Sequence, residues 1–471
     1  MKLANLLLVA FTLLIAGCAM GPDYQRPDVN LPQHFSSDPE NQNAASLADQ
    51  SWRMLFADPQ LQQLIERALN QNRDVKIAVQ RVIAARANAG AAGLARLPQI
   101  NAGASGDQRR LSSKGLSSGL AAQDSTINVY QGGIDASFEL DLWGRLARQS
   151  EAARARWQAS EYELKTVRIT LITDVAANYF ALQNLDRQLA ITHETIATRE
   201  HSANLIRTRH KAGAVSGLDV AQAEAELAAA LAAVPDIQRQ IDATESGLRL
   251  LLGESGAELA RSSERATFAL TIPAGLPSAL LERRPDLQSA EQALVAANAD
   301  VGAAKAALFP TISLTGALGS ESLELSDLFS GPARTWSFGG AINLPLLNAS
   351  RSGYQLTAAK AQREIALQTY QQAVQQAFEE VDYALNAYDH YNEQHLSLQA
   401  QVEAYARYAK LARLRYSSGY SAYANVLDAE RQLFSAELNL TSARLNTQAA
   451  VVQLYKRLGG GWQDSSAASA N

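Results

Sequence analysis

The 471-residue chain has a single cysteine, Cys18, so no disulfide framework can hold it together. Its six histidines, His34, His193, His201, His210, His390 and His395, contain no H-E-x-x-H pair. His390 and His395 are five apart, do not share a helix face, and read as surface residues. Methionine occurs only as Met1, Met20 and Met54, which leaves no thioether-lined route for soft metals. A P-loop is missing, and no nucleophile stands beside a base. The sequence therefore gives no support to an enzyme reading, and no cofactor is expected. There is no basic excess either: a formal net charge of -5 and a pI near 5.8 argue against a nucleic-acid partner. Beyond the N-terminus no apolar run approaches the ~20 residues of a membrane-spanning helix. If this chain crosses a membrane, it must do so as β-strands.

The N-terminus is informative. Lys2 precedes an apolar run, Leu3 to Ile15, which leads through Ala16 and Gly17 into Cys18. That is the layout of a bacterial lipoprotein signal, with residues 1–17 removed and Cys18 carrying lipid. Ala19 follows, where an aspartate would signal retention at the inner membrane. The expected location is the outer membrane, lipid-anchored and facing the periplasm.

The chain repeats itself. Arg73-Asp74 and Leu97-Pro98-Gln99-Ile100 return as Pro285-Asp286 and Phe309-Pro310-Thr311-Ile312, at an offset of 212. Gly132-Gly133 reads as returning in Gly339-Gly340. Gly213, Glu224 and Leu227 return as Gly419, Glu430 and Leu433, and Leu252-Gly253 as Leu458-Gly459. The period is too long for a short-repeat solenoid and reads as one structural unit written twice. The expected plan is a segment over 18–72, repeat one over 73–277, repeat two over 278–462, and a flexible tail over 463–471. Each repeat opens with a helix of moderate length, about 73–97 and 286–308.

Glycine and proline are absent from Arg145 to Ala212, from Tyr354 to Ser418, and from Tyr420 to Leu458. Apolar residues keep steps of three and four through Leu164, Val167, Leu171, Val175, Tyr179 and Leu182, and through Leu367, Tyr370, Val374, Phe378 and Val381. These patterns predict long coiled-coil helices over about 145–212, 218–252, 354–418 and 420–458, the first reaching ~100 Å. Strict alternation predicts strands instead. Ile134, Ala136, Phe138, Leu140 and Leu142 alternate with Asp135, Ser137, Glu139 and Asp141. Four strands are expected, about 98–108, 127–142, 310–319 and 335–347, long enough to cross an outer membrane. Four strands cannot close a membrane barrel, and open edges are not tolerated in lipid. Several copies must therefore share one barrel, and strand counting leaves two, three or four copies open.

Taken together, the motifs resemble the outer membrane factor family of tripartite efflux pumps, in its lipoprotein branch. The residues that carry the resemblance are Gly21-Pro22-Asp23-Tyr24-Gln25-Arg26-Pro27, Trp52, Asp58-Pro59, Glu139-Leu140-Asp141-Leu142-Trp143-Gly144-Arg145, Leu281-Glu282-Arg283-Arg284-Pro285-Asp286, Ala306-Ala307-Leu308-Phe309-Pro310 and Leu458-Gly459-Gly460-Gly461-Trp462. The resemblance implies an α+β, internally duplicated outer membrane efflux fold. In it, a homotrimer forms a 12-stranded β-barrel continued by a 12-helix α-barrel, with an equatorial region that takes in residues of 18–72. It implies a passive exit duct for drugs or other small toxic compounds, engaged by a periplasmic adaptor and an inner-membrane transporter of the resistance-nodulation-division type, with outer membrane lipid around the barrel. Two other readings stay open: a duct for protein secretion, and a non-conducting structural coiled-coil lipoprotein.

For a duct, chemistry means a gate. The Gly-containing turns Lys211-Ala212-Gly213-Ala214-Val215-Ser216-Gly217 and Ser418-Gly419-Tyr420-Ser421 occupy equivalent repeat positions between long helices. Gly213, Ala214, Val215, Gly419, Tyr420 and Ser421 are thus the expected helix tips, where an adaptor would dock. By similarity, Tyr416, Asp428, Arg431 and Asp219 match family positions that hold the periplasmic entrance shut. Taken alone, Asp428 and Arg431 also read as an ordinary i,i+3 pair on a solvated helix face.

Overall fold

The computed structural model of the chain describes residues 20–29, 32, 34–36, 46–110, 126–256, 259–261, 277–346 and 349–462. The signal segment, Cys18 and the tail over 463–471 lie outside the described residues. The principal helices are α1 (Pro59–Gln71), α2 (Arg73–Leu94), α3 (Arg145–Lys211), α4 (Gly217–Leu252), α5 (Pro285–Ala306), α6 (Ala349–Ser417) and α7 (Tyr423–Arg457). Four strands, β1 (Gln99–Arg110), β2 (Thr126–Leu140), β3 (Thr311–Ser322) and β4 (Arg334–Asn343), form one antiparallel sheet in the order β1-β2-β3-β4. β4 stops at Asn343, short of the alternating segment to 347, and Pro345 just beyond it has no N–H for the ladder.

Two compact units cut across the repeats. One is Met1–Asp28, Arg81–Ser160 and Ser289–Tyr370; the other is Val29–Gln80, Glu161–Gln288 and Gln371–Asn471. The first contains the sheet, α5 from Ser289 onward and the opening turns of α3 and α6. Small residues let its helices approach closely: Ala152 and Ala155 of α3 pack with Ala296 and Ala299 of α5. The β2–α3 joint explains one motif. Asp141 caps α3 by accepting from the backbone N–H of Leu146 and Ala147, and Arg145 donates to Glu139 at 2.7 Å. Trp143 stacks on Phe309 and donates its indole N–H to the Pro310 carbonyl. The N-terminal strap is tied to the same unit. Tyr24 and Arg26 both donate to Glu291, and Arg148 donates to Asp23 and to the Met20 carbonyl. Burial, with the Glu291 charge next, holds the Tyr24 hydroxyl well above the usual tyrosine range.

The second unit is helical. α1 starts at Pro59 behind an Asp58 cap, whose second oxygen accepts from the Tyr179 hydroxyl. Leu61, Leu64, Ile65 and Ala68 keep helical spacing and are buried. Along the first hairpin, Leu182 and Leu185 of α3 pack on Ile237 and Ile241 of α4.

The duplication is visible in the contacts. Asn72 caps α2, and its amide donates to the Leu251 carbonyl at the end of α4. At the equivalent position of repeat two, Arg284 donates to the Arg457 carbonyl at the end of α7. Arg284 is 9% exposed and also holds Asp286 and Glu380, so this part of the Arg283-Arg284-Pro285-Asp286 motif is a structural clasp. Gly253 and Gly459 end the two hairpins in left-handed conformations, φ 68° and 79°. A Cβ on either would meet backbone, 2.7 Å from the Gln71 carbonyl and 2.8 Å from that of Arg283.

The strand registers correct one repeat match. Gln99 faces Ser137 and Thr311 faces Asn343, so an offset of 212 for β1 to β3 requires 206 for β2 to β4. Gly133 therefore corresponds to Gly339, not Gly340. A match shifted by one residue would move every side chain to the opposite face of the sheet.

Candidate functional site: the exposed sheet and the helix turns

The sheet separates its residues cleanly by face. Ile100, Ala136, Gly316 and Phe338 lie in one cross-strand row, and Ala102, Ile134, Leu318 and Trp336 in the next. This face is apolar yet uncovered in the single chain: Trp336 is 80% exposed and Phe338 76%. The opposite face carries Gln99, Asn101, Asp107, Asp135, Glu139, Ser313, Thr315, Glu321 and Ser337. Its polar groups bond across strands, Asn101 to Asp135 at 3.0 Å and Gln131 to Glu321 at 2.7 Å. β1 and β4 are the two edges of the sheet. One apolar face, one polar and acidic face and two open edges suit a wall between lipid and water.

The two helix turns differ in chemistry. In the first, Gly213 (φ 75°) follows α3, whose last turn ends in Arg209, His210 and Lys211, favourable against the helix dipole. Ser216 caps α4 in a reciprocal box with Asp219. The Asp219 backbone N–H donates to the serine hydroxyl, and the Asp219 carboxylate accepts from both the Ser216 N–H and its hydroxyl. Asp219 thus works locally as a helix cap. In the second turn, Gly419 (φ 79°) ends α6, and Ala422 stands at the N-cap of α7 with no side chain to offer. The first three residues of the segment read as 420–458 helix, Tyr420, Ser421 and Ala422, therefore precede the helix.

Tyr416 and the pair Asp428–Arg431 are not brought together as one contact. Tyr416 lies against Tyr423, ring centroids 5.2 Å apart, with the Arg209 guanidinium over its ring. Its hydroxyl is buried and bonds to no described residue. Asp428 and Arg431 pair with each other at 2.8 Å on the open face of α7, with side chains 46% and 60% exposed.

Behind the turns lies a core that joins both hairpins. Ala203, Ile206, Ala223, Ala409, Ala412, Tyr423, Val426 and Ala429 are buried together. Two ion pairs brace it. Arg207 donates to Glu224 at 2.8 Å, and Arg413 donates to Glu430 at 2.7 Å, each pair spanning one hairpin and lying 206 residues from its twin. Burial, with the Glu430 carboxylate next, pushes the Tyr423 hydroxyl up to about 12. The sequence signals for these features were present. The repeated glutamates lacked only their arginine partners, and Ser216-x-x-Asp219 has the spacing of a capping box.

A cavity of about 770 Å³ opens among α3, α6 and α7, lined in part by Arg187, His395, Glu437 and Arg444. His395 is half-buried rather than on the surface, and burial lowers its affinity for a proton. Among the described residues, no group of three metal-ligating side chains converges, and no helix is long and apolar enough to cross a membrane.

Comparison with known proteins bears on the same surfaces. The family model for outer membrane efflux proteins matches residues 64–254 and 276–460. The probable efflux pump outer membrane protein TtgC of Pseudomonas putida is 38% identical over 98% of this chain and 96% of its own length. The cation efflux system protein CusC of Escherichia coli is 35% identical over 98% of this chain and all of its own length. The solved outer-membrane channel OprN superposes with a TM-score of 0.87 at 34% identity, covering 95% of this chain and 100% of that one.

Proposed function

The chain belongs to the outer membrane efflux protein family, and from that premise we infer that it forms the outer membrane duct of an efflux pump, a passive conduit from periplasm to exterior. The observation that carries this reading is the sheet, with an apolar face left bare and two edges left open. A coiled-coil spacer would have no use for either feature. Three copies supply twelve strands, enough to enclose a water-filled passage with the acidic face inward. Two copies would give eight strands, whose interior side chains normally fill.

An efflux duct needs partners, an adaptor and an inner-membrane transporter, because its sequence carries no P-loop through which to supply energy. A transporter of the resistance-nodulation-division type and docking at the turns Gly213-Ala214-Val215 and Gly419-Tyr420-Ser421 complete the proposal. Cargo includes drugs or other small toxic compounds. CusC is named for cations and TtgC simply for efflux, so cargo choice is assigned to the pump rather than the duct.

Lipid at Cys18 fits the strap. The Met20 N–H donates to the Trp143 carbonyl, three residues past β2.

The test is electrical. The purified protein in a planar bilayer should give discrete single-channel currents and run in detergent at about three times the mass of the mature chain. A folded protein that never conducts would overturn the duct. Cys18→Ala should abolish fatty-acid labelling, and labelling that persists would overturn the anchor.

A further inference from the structure

The two helix hairpins share one backbone plan, yet the cavity among α3, α6 and α7 has a chemistry that its repeat twin lacks. Across the offset of 206 that relates the hairpins, His395, Glu437 and Thr441 correspond to Leu189, Leu231 and Pro235. Leu189 packs on the apolar cluster of Leu182, Leu185, Ile237 and Ile241. The fold therefore does not itself require polar groups here. The volume, about 770 Å³, lies in the range of small-molecule sites, and every lining residue belongs to the second compact unit.

Two polar atoms of this lining are buried and bond to no described residue, Oδ1 of Asn184 and Nδ1 of His395. Such atoms are rare in folded proteins, because each forfeits the hydrogen bond it had in water. An ion is a poor candidate to complete them. Arg261 donates to Asp186 at 2.7 Å and also pairs with Glu245, and Arg187 lies 3.9 Å from Glu194, so these arginines are already met by acids of the protein. Burial, with Arg444 next, keeps His395 uncharged at neutral pH. We propose that the cavity is a binding site for a neutral oligosaccharide. A hydroxyl both donates and accepts, so sugar hydroxyls satisfy Asn184 Oδ1 and either tautomer of His395, with Gln399 and Thr441 as further partners in the same lining. The C–H faces of the sugar rings suit Ile191, Val402 and Leu440, which also line the cavity.

The test uses the full-length protein in a detergent without a sugar headgroup, maltotriose as the probe and saturation-transfer NMR as the readout. Maltotriose should bind saturably. Asn184→Ala combined with His395→Leu should weaken binding about tenfold, and His395→Leu alone about threefold. The single variant installs the residue that the repeat twin already carries, so it keeps the test alive should the double variant fail to assemble. Sialyllactose, a trisaccharide with a carboxylate, should bind more weakly than maltotriose. Absence of saturable binding would mean that the cavity holds water only. Binding unchanged in the variants would place the sugar elsewhere, and tighter binding of sialyllactose would make this a site for anions. Each of these three results would overturn the proposal.

Discussion

Glu430 sits beneath Arg413 with its side chain 8% exposed and its carboxylate 2.7 Å from the guanidinium, whereas its twin Glu224, held by Arg207, is half open to water. The two pairs are the same interaction in the two hairpins, yet their energetics differ. An exposed pair is worth ~0–1 kcal/mol, because water screens both charges. Stripping the arginine from a buried carboxylate leaves that charge without compensation and costs more, ~2 kcal/mol for a site open on one side. Arg413→Ala should therefore lower the thermal midpoint clearly more than Arg207→Ala. Equal shifts by differential scanning fluorimetry would mean that burial of Glu430 does not matter.

Tyr423 gives a pH signature to the same core. Its hydroxyl is raised from the ordinary 10.0 to about 12, so the folded state holds the proton more tightly than the unfolded chain does. The stabilisation is fully present below pH 10 and is lost as pH rises from there through about 12. Tyr423→Phe should flatten that alkaline loss in thermal melts taken across the same window. An unchanged slope in the variant would assign the loss to other groups.

The proposal that Asp428 and Arg431 hold the periplasmic entrance shut has a sharper test. Asp428 and Arg431 satisfy each other along α7 but remain exposed enough to meet a neighbouring copy. Charge removal repeated around a symmetric pore acts on one opening equilibrium. Asp428→Ala with Arg431→Ala should raise open probability or single-channel conductance severalfold, with trimer yield unchanged. Wild-type conductance in a normally folded double variant would make the pair an ordinary helix-surface contact. Asp219 is less suitable for this purpose. Asp219→Ala removes a capping box and should cost ~1 kcal/mol of local stability whatever it does to the pore.

Gly459 and Gly213 separate conformational strain from collision. Both have positive φ, but a Cβ on Gly213 meets nothing within 4 Å, whereas one on Gly459 meets the Arg283 carbonyl at 2.8 Å. Gly213→Ala should cost only the ~1–2 kcal/mol of a left-handed residue. Gly459→Ala must also displace the backbone beside Arg284 and should sharply reduce the yield of folded protein. Similar yields of the two variants would show that the clasp yields easily.

Much of this was legible in the sequence because its signals are periodic. The strand alternation of Ile134 to Leu140 and the uninterrupted helix pattern after Arg145 follow directly from how side chains alternate on strands and wind around helices. Single residues were harder to place. Gly132-Gly133 looks like Gly339-Gly340 by identity, and only backbone pairing reveals the one-residue shift. Arg207 and Arg413 lie among many arginines on long polar helix faces, where no local pattern marks the one that reaches across a hairpin. The position of Asp219 beside a helix tip is visible in the sequence, while its bond to Ser216 depends on the geometry of the turn. The motifs around Trp143 and Arg284 proved to be joints, which single-residue chemistry does not announce.

The fall in offset from 212 to 206 locates the length difference between the repeats over the stretch from the first strand to the glycines that end the hairpins. It occurs after β1 and before β2, and the offset then holds at 206 through both helix hairpins to Gly253 and Gly459. Over that stretch the two copies differ in length where the first strand of a hairpin turns into its second. That makes the β3–β4 connection, between Ser322 and Arg334, the natural place to graft a short epitope or a fluorophore-accepting peptide, since a difference of that size is already carried by its counterpart.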